Sequence, residues 1–220
     1  MKKAAAIIFL SYSIIFLSSF EENTALSSYA AGTLENPVID SNMTYEQALD
    51  GISVLCPPYI KDRQRLISVK YLSFDNKIHQ GQLVIDKDLT DDIEFAFKEA
   101  LNANFPIHSV IPISHNAFRK NGQWDDNLSM EANNSSGFNY RTIMGTRNLS
   151  MHAGGRAVDI NPVQNPYITR VITLPVNSSY NPEAAGALTK DSIIVKTLIS
   201  RGWVWGGNWT ALKDYQHFEK

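Results

Sequence analysis

The sequence predicts one α+β domain over residues 44–220, a small antiparallel sheet with helices packed on it. Three observations predict it. LISVKYLSF and HQGQLVID flank Asp75-Asn76-Lys77 and read as two strands of a hairpin. The stretch after Thr90 places Ile93, Ala96, Phe97, Ala100 and Leu101 on one apolar stripe of a helix. Short strand-like runs (VIPIS, VDI, QHF) and a second helix follow, with no internal repeat and no low-complexity linker.

The chain has 220 residues, enough for one domain with a sizeable core. Its 20 basic and 22 acidic residues give a formal charge of -2 without runs of one sign, which argues against a nucleic-acid partner. Residues 1–30 read as a secretory signal: a basic MKK, the apolar AAAIIFLSYSIIFLSSF, and Ser28 and Ala30 as a small-x-small cleavage pattern. The alternative is an uncleaved membrane anchor, since the apolar run approaches the roughly 18 to 20 residues a span needs. Under either reading the body of the protein is exported, and the membrane is met only through this segment. Cys56 is the only cysteine, so neither an intramolecular disulfide nor a cysteine-rich zinc site is possible. It reads as a partly buried structural thiol. An exported chain without disulfides suits a bacterial periplasm, envelope or extracellular space, where the Asn-x-Ser sites at Asn134 and Asn148 carry no meaning.

Residues 31–43 read as a linker. Thr44-Tyr45-Glu46-Gln47 has capping-box spacing and starts a short helix, and Pro57-Pro58 stops helical structure. Val84 lies in an apolar run, which predicts burial on both faces of its strand. Thr90 is expected to cap the amphipathic helix, with Asp91 and Asp92 in its positive first turn. Residues 119–137 are polar and rich in Asn, Gly and Ser, so they read as a long ordered loop or a mobile flap. Residues 177–189 read as a second loop. Asp191 is expected to cap a helix through Ile194, Val195 and Leu198, stopped by Gly202.

The chemistry concentrates in SMHAGGRAVDINP, residues 150–162. His152 and Asp159 are seven apart, so an unbroken strand would send them to opposite faces. Gly154-Gly155 permits a reversal that turns both toward one point. A carboxylate between Val158 and Ile160 is costly unless paired or metal-bound, and zinc fits such a point. Of the five histidines, His79, His108 and His115 read as strand-edge or loop residues. His217, in the aromatic DYQHFE run, is the best third ligand, with Asp214 as a nearby carboxylate. Each histidine taken alone is equally readable as a hydrogen-bonded core or surface group. Glu219 shares a strand face with His217 and reads either as the group that orients its imidazole or as a rival base. Trp203, Trp205 and Trp209 around Gly206-Gly207 read as a core cluster or as a wall of the cleft.

The pattern S-x-H-x-x-G-x-A-x-D, here Ser150, His152, Gly155, Ala157 and Asp159, resembles the signature of the D-alanyl-D-alanine carboxypeptidase family of zinc peptidases. That family includes L-alanyl-D-glutamate endopeptidases and phage endolysins, and it shares its fold with hedgehog signalling domains. D-x-x-H-F, Asp214 to Phe218, matches the second half of the pattern. FDNKIHQGQLVI, NNSSGFNYR and GWVWGGNW are similar to segments of its envelope-located bacterial branch, so the likeness covers residues 66–220.

The resemblance implies a hedgehog/DD-peptidase-like fold and one zinc ion held by His152, Asp159 and His217. It implies that Asp214 is the general base, where part of the family has Glu. Arg141 would grip a substrate carboxylate, and Ser150 would hydrogen-bond substrate or brace its loop. The implied partner is a peptidoglycan stem peptide, and a monomer is expected. Cleavage of a terminal D-alanine would make the protein a carboxypeptidase, and cleavage beside D-glutamate an endopeptidase. A zinc-stabilised binding domain without turnover is the alternative outside enzymology. A structural envelope protein with a chance motif is the last.

Overall fold

The computed structural model describes residues 31–220, an α+β arrangement of small sheets with five helices among the described residues. The reading of residues 1–30 as an export signal lies outside the described residues. No helix among those described is long and apolar enough to cross a membrane.

Val38–Ile39 (β1) lies within the stretch read as a linker, yet it forms a strand. Thr44 caps the helix Tyr45–Ala48 (α1), and both hydrogen bonds of the capping box are present: the Gln47 N–H to the Thr44 hydroxyl at 3.3 Å, and the Thr44 N–H to the Gln47 side chain at 2.7 Å. Pro58 opens helical structure where the sequence reading had it stop. It is the first residue of Pro58–Lys61 (α2), a position where no N–H is needed. Cys56 is half-buried and free, as expected.

Gln64–Leu72 (β2) and Ile78–Asp86 (β3) form the hairpin, in register from Gln64 opposite Asp86 to Leu72 opposite Ile78. The inner run of β3 serves two cores. Leu83 and Ile85 pack into the main one, and Val84 packs with Ala48, Leu49 and Phe138 on the other face. Covering both faces requires the unbroken apolar run seen in the sequence. Thr90–Asn102 (α3) buries Ile93, Ala96, Phe97 and Ala100 against the same core. Its cap is Leu89, and Thr90 is already helical, with its hydroxyl bonded to the Lys87 carbonyl. The burial of Leu89 in the core sets the entry point one residue earlier than hydroxyl capping would.

Of VIPIS only Val110 lies in a strand, the short Ser109–Val110 (β4). Residues 119–137 are ordered and hold regular elements rather than only a loop. They form the hairpin Arg119–Lys120 (β5) with Gln123–Trp124 (β6), the helix Asp126–Glu131 (α4) and the strand Asn134–Ser135 (β7). Side-chain hydrogen bonds supply this order. Asp125 accepts the N–H groups of Asn127 and Leu128, and the Asn134 amide bridges both backbone groups of Ile111. Such contacts leave no hydrophobic period to read. β7 pairs parallel with β4, as β1 does with β3, so the sheets are not uniformly antiparallel.

Ala157–Asp159 (β8), Tyr167–Ile168 (β9) and Thr173–Leu174 (β10) precede the helix Ile193–Ser200 (α5). The cap of α5 is Ser192 rather than Asp191, and it makes no side-chain cap bond because its hydroxyl is engaged with Ala187 and Thr189. Gly202 follows just past the helix end. Val204–Trp205 (β11), Lys213–Asp214 (β12) and His217–Glu219 (β13) complete the chain. One three-stranded sheet runs β11-β13-β8, and another runs β10-β9-β12.

Asp92 ties these parts together. It accepts Arg201 Nη1 at 2.9 Å, Trp203 Nε1 at 2.9 Å and Lys220 Nζ at 2.8 Å, joining α3 to the segment after α5 and to the last residue. Burial would raise its pKa, but the Lys220, Trp203 and Arg201 donors outweigh that and hold it below its ordinary value. A depressed carboxylate stabilises the fold above the unfolded pKa, and the contribution is lost as pH falls through the folded one. Asp92→Ala is therefore expected to cost about 2 kcal/mol in urea unfolding at pH 7. The difference from wild type should shrink below about pH 4, and equal midpoints at pH 7 would remove Asp92 from this role.

Candidate metal centre

The site is built on strand register. In the antiparallel pair β8–β13, His217 stands directly opposite Asp159, Phe218 opposite Val158, and Glu219 opposite Ala157. Directly opposed residues share a face, so the packing of Val158 and Phe218 into the core brings Asp159 and His217 together on the other side. His217 Nδ1 is 3.0 Å from Asp159 Oδ1.

His152 arrives by a different device. Met151–Gly154 forms a 3₁₀ turn capped by Ser150, whose hydroxyl accepts the His152 N–H at 3.3 Å. Gly155 ends the turn at φ 67, a left-handed conformation that favours glycine, and a Cβ there would lie 2.0 Å from Gln64 Oε1. The chain reverses as the sequence predicted. His152 Nε2 comes to 3.1 Å from His217 Nδ1 and 3.1 Å from Asp159 Oδ2. All three residues are buried, and one ligand atom from each lies within 4.8 Å of the others.

The outer imidazole nitrogens are already committed. His152 Nδ1 lies 2.7 Å from the Gly137 carbonyl, to which it donates. His217 Nε2 lies 3.0 Å from Glu219 Oε2. That leaves His152 Nε2 and His217 Nδ1 facing inward beside a carboxylate. Two imidazole nitrogens, each ring braced from outside, and one carboxylate oxygen form a donor set that fits zinc and leaves one position open.

The electrostatics agree. Burial alone would lower the His217 pKa, but the Asp159 and Glu219 carboxylates outweigh it and raise it to about 10. Burial would raise Asp159, but the two imidazoles hold it far below the carboxylate range. A proton on His217 thus occupies electrostatically the place a cation would take.

Asp214 stands beside the cluster with Oδ1 enclosed and without a hydrogen-bond partner. Burial, with a further push from the Asp159 charge, raises its pKa to about 7 against the opposing pull of His217 and Arg141. A cation at the centre would lower it again. Gly206 makes this placement possible, since a Cβ there would lie 2.5 Å from the Asp214 carbonyl oxygen.

The other sequence candidates fall as follows. Arg141 is brought near Asp214, but its Nη2 already pairs with Asp126 Oδ2 at 2.9 Å, and its Nε is buried and unpartnered. Ser150 is placed as the brace of the turn. The tryptophans divide: Trp203 and Trp205 are core, and Trp209 is half-buried with its ring 5.5 Å from that of His217. His79 is engaged by Asp40 and Asp75, His108 is exposed beside Phe74, and His115 caps a 3₁₀ turn. Asp126, Asn139 and the Gly137 carbonyl were missed. They lie in or next to the polar stretch read as a loop, and only GFNYR gave a signal there.

Glu219 reaches the centre only through His217, so its effect should be on metal affinity. Glu219→Gln is expected to weaken zinc binding about 10- to 100-fold in a chelator competition. An unchanged affinity would show that the carboxylate does not support the ligand.

No curated protein and no solved structure matches the chain. Residues 144–220 match the family model described as D-alanyl-D-alanine carboxypeptidase. This segment contains His152, Asp159, Asp214 and His217, and Arg141 lies just before it. The match over residues 144–220 supports the likeness of this segment to the D-alanyl-D-alanine carboxypeptidase family.

Proposed function

We propose that the protein is an exported zinc peptidase that hydrolyses an amide bond in peptidoglycan stem peptides, acting as a D-alanyl-D-alanine carboxypeptidase. One observation carries the reading. Two inward imidazole nitrogens and a carboxylate converge in the segment that matches the family, beside an unpartnered carboxylate. The fit with the two halves of the sequence pattern supports a hedgehog/DD-peptidase-like fold.

In this reading His152, Asp159 and His217 hold the ion. A bound zinc supplies Lewis acidity, which activates water and polarises the scissile carbonyl. The chain does the rest. Asp214 Oδ1 accepts a proton from the attacking water as its oxygen bonds to the carbonyl carbon. When the C–N bond breaks, the same oxygen returns that proton to the leaving amine. Position suits Asp214 to both halves of this cycle, because its Oδ1 is enclosed beside the centre and is engaged by no other hydrogen bond. The Arg141 guanidinium pairs with the free carboxylate of the substrate and sets the bond in register. Trp209 walls the site beside His217 and limits water.

Mass spectrometry of muropeptides treated with zinc-loaded protein is expected to show loss of the terminal D-alanine. Cleavage at D-glutamate would reassign it as an endopeptidase, and bound zinc without cleavage would make it a binding domain. Asp214→Asn is expected to lower kcat by about 10²- to 10⁴-fold while zinc stoichiometry stays near one, and loss of metal would make Asp214 a ligand. His152→Ala is expected to lose the metal, and full zinc content would reject the centre.

A further inference from the structure

Arg141 is held by more than its own chain. Its Nη2 pairs with Asp126 Oδ2, and Asp126 Oδ1 accepts Asn139 Nδ2 at 2.9 Å. Asn139 and Arg141 are both anchored to the turn that carries His152. The Asn139 N–H donates to the His152 carbonyl at 3.0 Å, and the Ser150 N–H donates to the Arg141 carbonyl at 3.1 Å. Asp126 is not needed as the cap of α4, because Asp125 already fills that role. Two buried groups in this region lack partners and carry opposite charge: Arg141 Nε and Asp214 Oδ1. They also act on each other electrostatically. A buried unpaired N–H of a cation is costly, so a site that keeps one is prepared for an acceptor that arrives later.

We propose that Asp126 is a positioning residue, which with Asn139 holds Arg141 by one terminal nitrogen so that the rest of the guanidinium receives the carboxylate of a peptide substrate. The inference rests on the peptidase reading for its substrate class. Its physical content is separate: fixed geometry outweighs charge. If Asp126 acted only as a nearby negative charge, removing it would strengthen binding of a carboxylate at Arg141. If it positions, removing it weakens that binding, because a free arginine must be ordered anew by each ligand.

The test uses Asp126→Asn and Asp126→Ala in the full zinc-loaded protein, with thermal unfolding as a check on the fold. The probes are an N-acylated D-alanyl-D-alanine peptide and its C-terminal carboxamide. Both variants are expected to raise KM for the free-carboxylate peptide about tenfold with little change in kcat, and to erase the preference over the carboxamide. Arg141→Ala combined with Asp126→Ala should be no worse than Arg141→Ala alone. An unchanged or lower KM, or an equal loss on both peptides, would overturn the proposal. Binding of acetyl-D-alanine, followed by NMR, separates the two readings. If wild type cleaves neither peptide, the peptidase assignment falls, and weaker acetyl-D-alanine binding in the Asp126 variants still supports positioning. Binding equal to wild type, or none by wild type, overturns it.

Discussion

The site depends on one pairing register, His217 opposite Asp159 across β8 and β13. A slip by one residue would turn the ligand face of β13 into the core face and bury the wrong set. The register is held from both sides. Phe218 is fully buried between Val158 and Trp205, its partners on the two flanking strands, so apolar burial fixes which residues face inward. The end of the strand is fixed by charge, since Lys220 reaches Asp92 at 2.8 Å and bonds back to the Arg156 carbonyl. Lys220 is thereby stapled to α3, and that gives His217, three residues before it, a fixed position.

Around this register the protein separates two carboxylates by environment. Asp159 lies between two imidazoles, and its charge is stabilised. Asp214 lies among enclosing groups with no donor on Oδ1, and its charge is destabilised. Two acids with opposed titration in one cleft suit opposite tasks, one to hold a cation and one to carry a proton. Glu219 and the Gly137 carbonyl fix the outer nitrogens, so the inner ones point to the centre without a choice of tautomer.

Much of this was legible in particular residues. The hairpin, the stripe of α3, the two-faced burial of Val84, the capping box at Thr44 and the reversal at Gly155 all follow from rules that act within a few residues. The two caps misread at Thr90 and Asp191 show where such rules stop. Each has a residue of capping type, yet burial of Leu89 in one case and the engagement of Ser192 in the other moved the boundary by one. The polar stretch 119–137 misled for the same reason in reverse, because its order comes from Asp125 and Asn134 side chains bonding to backbone.

By itself the sequence determined which side chains were available for a metal, since His152, Asp159 and His217 are marked by their types, their neighbours and a turn between two of them. It also marked Val158 and Ile160, the apolar neighbours of Asp159, for the core. Only the tertiary structure decided that His217 meets Asp159, that Glu219 backs the imidazole, and that Arg141 is shared with Asp126. The reason is distance along the chain. Periodicity and capping act over one or two turns, whereas these contacts join residues 58 and 15 positions apart, as between Asp159 and His217 and between Asp126 and Arg141. Such separations are closed by strand pairing and core packing, not by any local preference.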